Sequence, residues 1–296
     1  MKLFDLHCDT ATKLYYSFTP FSSNELQLSA PDLSVWEDVT QVFACFCRPA
    51  LSDDAAYYSF FAMRQHLLDT LEHQQNDRLT PILAVEDARL LAGSRERLTR
   101  LYDAGVRILT LLWKGETVIG GAFDTNVGLS AFGKDVLADC LTLGIIPDVS
   151  HASERAFYDV LEASGSRPLL ASHSNAKKIR NHPRNLTDAQ FSELIRTGGL
   201  CGLSLCPEHL AEGEATSDDL LRHADHYLSL GGEDHIALGT DFDGISATPT
   251  DIRRNRDLIS LAEKMARIGY SDTLIQKIFW KNAKDFFGKY KRQEEL

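Results

Sequence analysis

Asp5-Leu6-His7-Cys8-Asp9-Thr10 closes the first apolar run of the chain and sets His7 and Asp9 two residues apart. On an extended strand residues i and i+2 project from the same side, so one imidazole and one carboxylate can grip one cation. The pair alone is unspecific, because a buried histidine hydrogen-bonded to an aspartate has the same spacing. Three further runs end in groups of matching type: Ala84-Val85-Glu86-Asp87-Ala88, Asp148-Val149-Ser150-His151 and Ala171-Ser172-His173-Ser174-Asn175. Taken singly, a glutamate after a strand reads as a helix-start charge and a histidine there as a hydrogen-bonding group. Together His7, Asp9, Glu86, His151 and His173 supply three imidazoles and two carboxylates. Such donors suit zinc, and five of them exceed what one tetrahedral ion that keeps a water can use. Two zinc ions per chain, sharing one carboxylate, fit the count. A pair of this kind sits ~3.5 to 4 Å apart, brings the pKa of a bridging water near neutrality and polarises the carbonyl under attack.

Leu238-Gly239-Thr240-Asp241-Phe242-Asp243-Gly244-Ile245 adds another carboxylate at the end of the last apolar run. Asp241 is a candidate to face the metal-bound water, take its proton and return it to a leaving amine. Asp243 is read as a loop support, and the competing reading of the whole stretch is a plain turn, since Asp-Gly is common turn chemistry. In Asn181-His182-Pro183-Arg184-Asn185, Pro183 disfavours helix at His182, so Arg184 lies in a loop before a helix that begins near Thr187. Its planar fork can clamp a carboxylate with two hydrogen bonds, the alternative being a solvated loop arginine. His223-Ala224-Asp225 repeats the spacing of the first pair, but in an expected helix, where residues two apart face different ways, so it is no second metal clip. His66, His73, His209, His223, His226 and His235 are read as ordinary surface or core groups, and His182 as an outer support at most.

What must position these groups is a series of short strands. Apolar, β-branched runs recur at Lys2 to His7, Val39 to Cys47, Pro81 to Val85, Val106 to Leu112, Ile145 to Val149, Pro168 to Ser172, Leu200 to Leu205 and His235 to Gly239. Between them lie stretches with 3.6-residue apolar spacing: Ala56 to Leu71, Ala88 to Tyr102, Val136 to Leu143, Glu154 to Glu162, Asp188 to Thr197, Leu220 to Leu230 and Leu258 to Ile268. Ser153, Thr187 and Ser271 stand as helix start signals, the last before a helix from Asp272 to about Phe287. Eight strand-then-helix units predict an α/β fold of the (β/α)8 TIM-type barrel, whose enzymes carry reactive groups on the carboxyl-end rim; an open doubly wound sheet is the runner-up. No repeat or Pro/Gly-rich linker divides the sequence, so 1–296 reads as a single catalytic domain, with Tyr16 to Trp36 as a long loop.

Composition narrows the partners. At 296 residues, 44% hydrophobic and 25% charged, the chain has the size of one such barrel. A formal charge of -11 excludes nucleic acid and anionic membranes as default partners, because their phosphates repel it at long range. No apolar run reaches the ~18 to 20 residues of a membrane span, and Met1 to Leu6 leads into polar residues rather than a signal-peptide core, so a cytoplasmic location is expected. Cys8, Cys45, Cys47, Cys140, Cys201 and Cys206 show no C-x-x-C spacing and are read as packing residues. Barrels of this kind often pair, so a homodimer is an expectation with no particular residue behind it.

His7-Cys8-Asp9, Glu86, Asp148-Val149-Ser150-His151, Ser172-His173-Ser174-Asn175-Ala176, Arg184-Asn185-Leu186-Thr187-Asp188 and Gly239-Thr240-Asp241-Phe242-Asp243-Gly244 resemble, in order and spacing, the successive motifs of the membrane (renal) dipeptidase family of the amidohydrolase superfamily. The resemblance covers nearly the whole chain. It implies a binuclear zinc barrel that hydrolyses dipeptides, with His7 and Asp9 on one zinc, His151 and His173 on the other and Glu86 bridging. It further implies that Arg184 holds the substrate's terminal carboxylate, that Asp241 transfers the proton, and that a D residue is tolerated at the carboxyl end. Animal members carry a substrate-binding histidine after strand four, where this chain has Trp113, and a tyrosine after strand seven, where it reads Ser204-Leu205-Cys206-Pro207. With no secretion signal or lipid-anchor tail in the sequence, the membrane attachment of the family's name is not expected. Two other classes stay open: a different metal hydrolase on the same barrel, such as a lactonase or deaminase, and a non-catalytic barrel that binds peptide or metal.

Overall fold

The computed structural model describes residues 1–72 and 78–294. Eight parallel strands close into a barrel in sequence order: β1 Lys2–Cys8, β2 Asp38–Phe46, β3 Leu79–Glu86, β4 Val106–Thr110, β5 Ile146–Asp148, β6 Leu170–Ala171, β7 Leu200–Leu203 and β8 Ile236–Leu238. Each of the eight apolar runs overlaps one strand, and β8 returns to β1 through Leu238 and Asp5. The architecture is the (β/α)8 barrel that the alternation predicts. Ser153, Thr187 and Ser271 do start helices, their hydroxyls accepting from the N–H groups of Ala156, Gln190 and Leu274.

Two shells of apolar side chains hold the sheet. The inner one takes residues from all eight strands, among them Phe4, Leu6, Ala84, Ile108 and Leu170, so it fills the barrel itself. The last helix, Asn282–Glu294, plugs the end where the strands begin: Phe286 and Tyr290 join the inner shell, and the Tyr290 hydroxyl donates to the Pro168 carbonyl just ahead of β6. The outer shell lies between strands and helices and includes Leu3, Val39, Val85 and Phe191. At ~1.5 to 3 kcal/mol for each large apolar side chain taken from water, these two layers supply the drive to close the barrel. They leave the carboxyl-end rim free for polar groups.

Three local expectations change. Ala88 to Tyr102 is not one helix but a 3-10 turn, Ala88–Leu91, and a helix, Arg95–Asp103, because Ala92 and Gly93 take left-handed backbone with φ of 49° and 79°. The loop expected over Tyr16 to Trp36 is shortened at both ends, by a helix Thr10–Ser17 and a 3-10 turn Ala30–Val35. The final helix is interrupted by a π turn, Lys277–Lys281, after which the Asn282 amide donates to the carbonyls of Glu233 and Ile236 beneath β8. His73 lies outside the described residues.

The strand that carries the first two candidate ligands is irregular where it matters. Phe4 and Leu6 belong to the inner shell but Cys8 packs in the outer one, and the register of β1 against β2 slips between Asp5 and Cys8. Such a bulge re-aims side chains at a strand end. Here it turns His7 and Asp9 together over the mouth of the barrel.

Candidate active site

All five candidate ligands meet on that mouth. His7 Nε2 lies 3.5 Å from Asp9 Oδ2 and 3.7 Å from Glu86 Oε2, while His151 Nε2 and His173 Nε2 lie 3.0 and 3.6 Å from Glu86 Oε1. Glu86 therefore offers one oxygen to each of two groups, His7 with Asp9 on one side and His151 with His173 on the other. Asp241 Oδ1 stands 3.9 Å from His7 Nε2, so Asp241 joins His7 and His173 in a third metal-capable group.

The hydrogen-bond pattern shows that these donors suit a cation. His151 Nδ1 faces the Trp113 carbonyl at 3.0 Å, an acceptor, which puts the ring proton on Nδ1. His173 Nδ1 lies 2.7 Å from Ser172 Oγ, whose own proton goes to Asp148 Oδ2, so this ring too is protonated on Nδ1. The two Nε2 lone pairs are left facing each other across 2.9 Å. His7 Nε2 and Asp9 Oδ1 are buried with no hydrogen-bond partner. Two opposed lone pairs and two buried polar atoms without a partner are costly, a cost that a Lewis acid among them would relieve.

Electrostatics point the same way. Burial works against a charged His7, but Glu86 and Asp9 outweigh it and hold its pKa well above the ordinary value. Burial, then Arg184 and His7, push His151 well down; burial, then His7 and Arg184, do the same to His173. Burial and the neighbouring Asp9 raise Glu86, and burial pushes Asp241 well up. Burial thus penalises the charged forms of Glu86 and Asp241, a penalty that a divalent ion beside them would relieve.

Supporting residues fix the candidate ligands. Asp148 is wholly buried and accepts four hydrogen bonds, from the Ser150 and Ser172 N–H groups and the Thr110 and Ser172 hydroxyls, locking the strand ends that carry His151 and His173. Asp5 does the same between β1 and β8, accepting from Gln41 Nε2 and from the Thr240 N–H and hydroxyl. His151, Asp241 and Asp243 adopt φ of 67°, 61° and 66°, a left-handed backbone that non-glycine residues rarely take and that is tolerated at sites held by their surroundings. At Gly244 an added Cβ would collide with the carboxylate oxygens of Asp9 and Asp241, so the close approach of this turn requires glycine. Asp243, expected as a loop support, accepts from the Thr10 hydroxyl at 2.6 Å and the Gln27 N–H at 2.8 Å.

Arg184 is not a solvated loop arginine. It is 5% exposed, donates from Nη2 to the His173 carbonyl at 3.3 Å, has an unpartnered Nε, and makes no ion pair with a carboxylate among the described residues. It lines a cleft of about 770 Å3 together with Glu86, Asp241, Phe46, Trp113 and His209. Sequence reasoning did not single out Asp5, Asp148 or Phe46, and it left His209 among the ordinary groups; His209 is a buried wall of this cleft, its ring 4.6 Å from that of His182. His223 is a core group as expected, its Nδ1 accepting from the Ala176 N–H and its Nε2 facing the Leu210 carbonyl.

Known proteins resemble the chain along its length. It is 35% identical over 226 residues to a Klebsiella pneumoniae protein described as uncharacterized in the pqqA 5' region, covering 72% of this chain and 83% of that one. A Schizosaccharomyces pombe protein described as an uncharacterized dipeptidase is 30% identical over 240 residues, 79% of this chain, which spans 56% of that longer relative. Among solved structures, a metallo-peptidase called dipeptidase AC superimposes with a TM-score of 0.89 at 25% identity, covering 98% of both chains. A Rhodobacter sphaeroides metallo-peptidase, bound to a phosphinate mimic of L-Ala-D-Ala, gives 0.88 at 25% identity, covering 98% of this chain and 99% of that one. The family model described as membrane dipeptidase, peptidase family M19, matches residues 1–293, and the chain belongs to that family of metallo-dipeptidases.

Proposed function

We propose that the chain hydrolyses the peptide bond of free dipeptides with two zinc ions, His7 and Asp9 holding one, His151 and His173 the other, and Glu86 bridging. The observation that carries this reading is the placement of one carboxylate between two ligand groups, with Glu86 Oε2 toward His7 and Oε1 toward His151 and His173. Zinc bound there would bring the pKa of a coordinated water near neutrality and polarise the scissile carbonyl. Arg184 clamps the substrate's terminal carboxylate through its fork, which positions the peptide bond over the centre. Asp241 accepts the proton of the attacking water and delivers it to the leaving amino group as the C–N bond breaks. A buried guanidinium with no ion-pair partner among the described residues favours a substrate that brings a carboxylate, over a lactone or an aminated ring.

Dipeptides with a D residue at the carboxyl end belong to the proposed range, in keeping with the ligand of the Rhodobacter relative. The barrel runs from Lys2 to Leu238 and its plug from Asn282, which supports one catalytic domain over 1–296. A cytoplasmic location fits the six cysteines, all free thiols. No helix among the described residues is long and apolar enough to cross a membrane. The test is a hydrolysis screen over L,L and L,D dipeptides with zinc measured on the same preparation. About two zinc ions per chain and turnover of dipeptides are expected. One ion or none in an active, replete sample removes the binuclear assignment, and turnover of lactones or aminated rings alone removes the dipeptidase.

A further inference from the structure

The cleft has two unlike halves. Arg184 and His209 enter from the connections after β6 and β7, whereas the rim after β1, β2 and β4 carries three exposed cations: Lys13, Arg48 and Lys114. Lys13 sits on the helix Thr10–Ser17, four residues past Asp9. Arg48 follows Phe46 and lays its guanidinium 4.3 Å over the Tyr16 ring. Lys114 follows Trp113, whose ring packs 4.9 Å from that of Phe46. None of the three forms an ion pair with a carboxylate among the described residues.

The carboxylates of the cleft are already committed. Asp9, Glu86 and Asp241 face the candidate metal centre, and Asp243 is taken up by the Thr10 hydroxyl and the Gln27 N–H. Glu208 stands on the opposite half, after β7. A chain of net charge -11 repels anions at a distance, so a stretch of cleft wall with three cations outside any ion pair among the described residues, Lys13 partly offset by Asp243, creates a local field of the opposite sign. If Arg184 fixes the terminal carboxylate on the β6 side and the scissile carbonyl lies over Glu86, the amino-terminal residue of a dipeptide points its side chain to the β1–β4 side. There the Phe46–Trp113 pair offers apolar surface for methylenes, with the cations around it.

We infer that this wall selects dipeptides whose amino-terminal residue has an acidic side chain, glutamate or aspartate, with Lys13, Arg48 and Lys114 as the specificity-determining residues. The inference rests on the dipeptidase reading above and adds the side-chain class to it. The test compares L-Glu-L-Ala with its uncharged isostere L-Gln-L-Ala on the zinc-replete enzyme. At low ionic strength kcat/KM is expected to be about tenfold higher for L-Glu-L-Ala, and the ratio should shrink as salt is raised, since exposed charges are screened over ~10 Å at 0.1 M. In a Lys13→Gln, Arg48→Gln, Lys114→Gln triple variant the ratio should fall close to one, and Lys114→Gln alone should lower it in part. A ratio of one or less in the parent enzyme, or a preference that survives the triple substitution, overturns the inference while leaving dipeptide hydrolysis in place. Absence of turnover of both peptides overturns the dipeptidase reading and this inference with it.

Discussion

Replacing Arg184 with methionine separates substrate binding from structure. The guanidinium is buried, and among the described residues its only hydrogen bond runs 3.3 Å to the His173 carbonyl and no carboxylate forms an ion pair with it. In the substrate complex it would gain two charge-assisted bonds, each worth ~1.5 to 3 kcal/mol, against the loss of bound water. A net loss of ~2 to 4 kcal/mol is expected in Arg184→Met, or roughly 30- to 1,000-fold in kcat/KM for a free dipeptide, mostly as a rise in KM. A carboxyl-amidated dipeptide makes only neutral contacts there, so its loss should stay within ~2- to 10-fold. Methionine fills similar volume without a charge to desolvate, so the melting temperature should hold or rise. Initial rates on paired free and amidated substrates, with a thermal melt of each protein, decide the matter. Equal losses on both substrates would refute the clamp, and a melting temperature several degrees lower would show that Arg184 is held for the fold.

Asp241→Asn should keep nearly all bound zinc and change KM little while kcat falls by ~10^2 to 10^4, because the amide preserves shape but cannot carry a proton; elemental analysis showing zinc loss that added metal reverses would make Asp241 a principal ligand instead. Asp148→Ala leaves two buried N–H groups and two hydroxyls without their acceptor, so zinc affinity should drop ~10- to 100-fold, read by competition with a chelator. An affinity equal to the parent's would refute the support role. Burial lowers His223 to about 4 and His209 to about 2, so both stay neutral in the fold while the unfolded chain takes up protons below its ordinary value of 6.5. Stability from each is whole above that value and lost as pH falls, by up to ~1.4 kcal/mol per pH unit per group. Melting temperatures should therefore decline from pH 6.5 towards 4, more shallowly in His223→Gln, and an unchanged slope in that variant would refute the assignment.

How much of this was legible in the sequence depended on which force set each feature. The strands and the convergence of the five candidate ligands were readable because apolar runs and the residues that end them follow the barrel's own rule, buried wall below and reactive rim above. The helix Thr10–Ser17 was not, since its cap position is Asp9, whose carboxylate faces the candidate metal centre and makes no capping bond, so the usual start signal is missing. Ala92 hid the break before Arg95, because left-handed backbone at an alanine is set by its surroundings, although Gly93 beside it was a usable cue. Asp5 and Asp148 passed as neighbours of candidate ligands in the chain; their importance lies in hydrogen bonds to partners 24 to 235 residues away that no local pattern records. Likewise the bulge between Asp5 and Cys8 depends on pairing with β2, so the simple alternation rule put His7 and Asp9 on a common side without saying which side that was.

The opposed Nε2 atoms of His151 and His173, with the acidic groups crowded about them, imply a gradient of rigidity along the barrel axis. At the closed end, aromatic and aliphatic side chains from eight strands and the last helix interlock with no charge to balance. At the mouth, buried carboxylates and facing lone pairs crowd the strand ends, a cost that a cation between them would relieve. Local opening in the ion-free protein is therefore expected in the turns that follow β1, β5, β6 and β8, whose amide hydrogens should exchange with solvent before those of the base. A bound metal would tighten the same turns from above, so metal uptake would act as the final step of folding for the part of the molecule around the cleft.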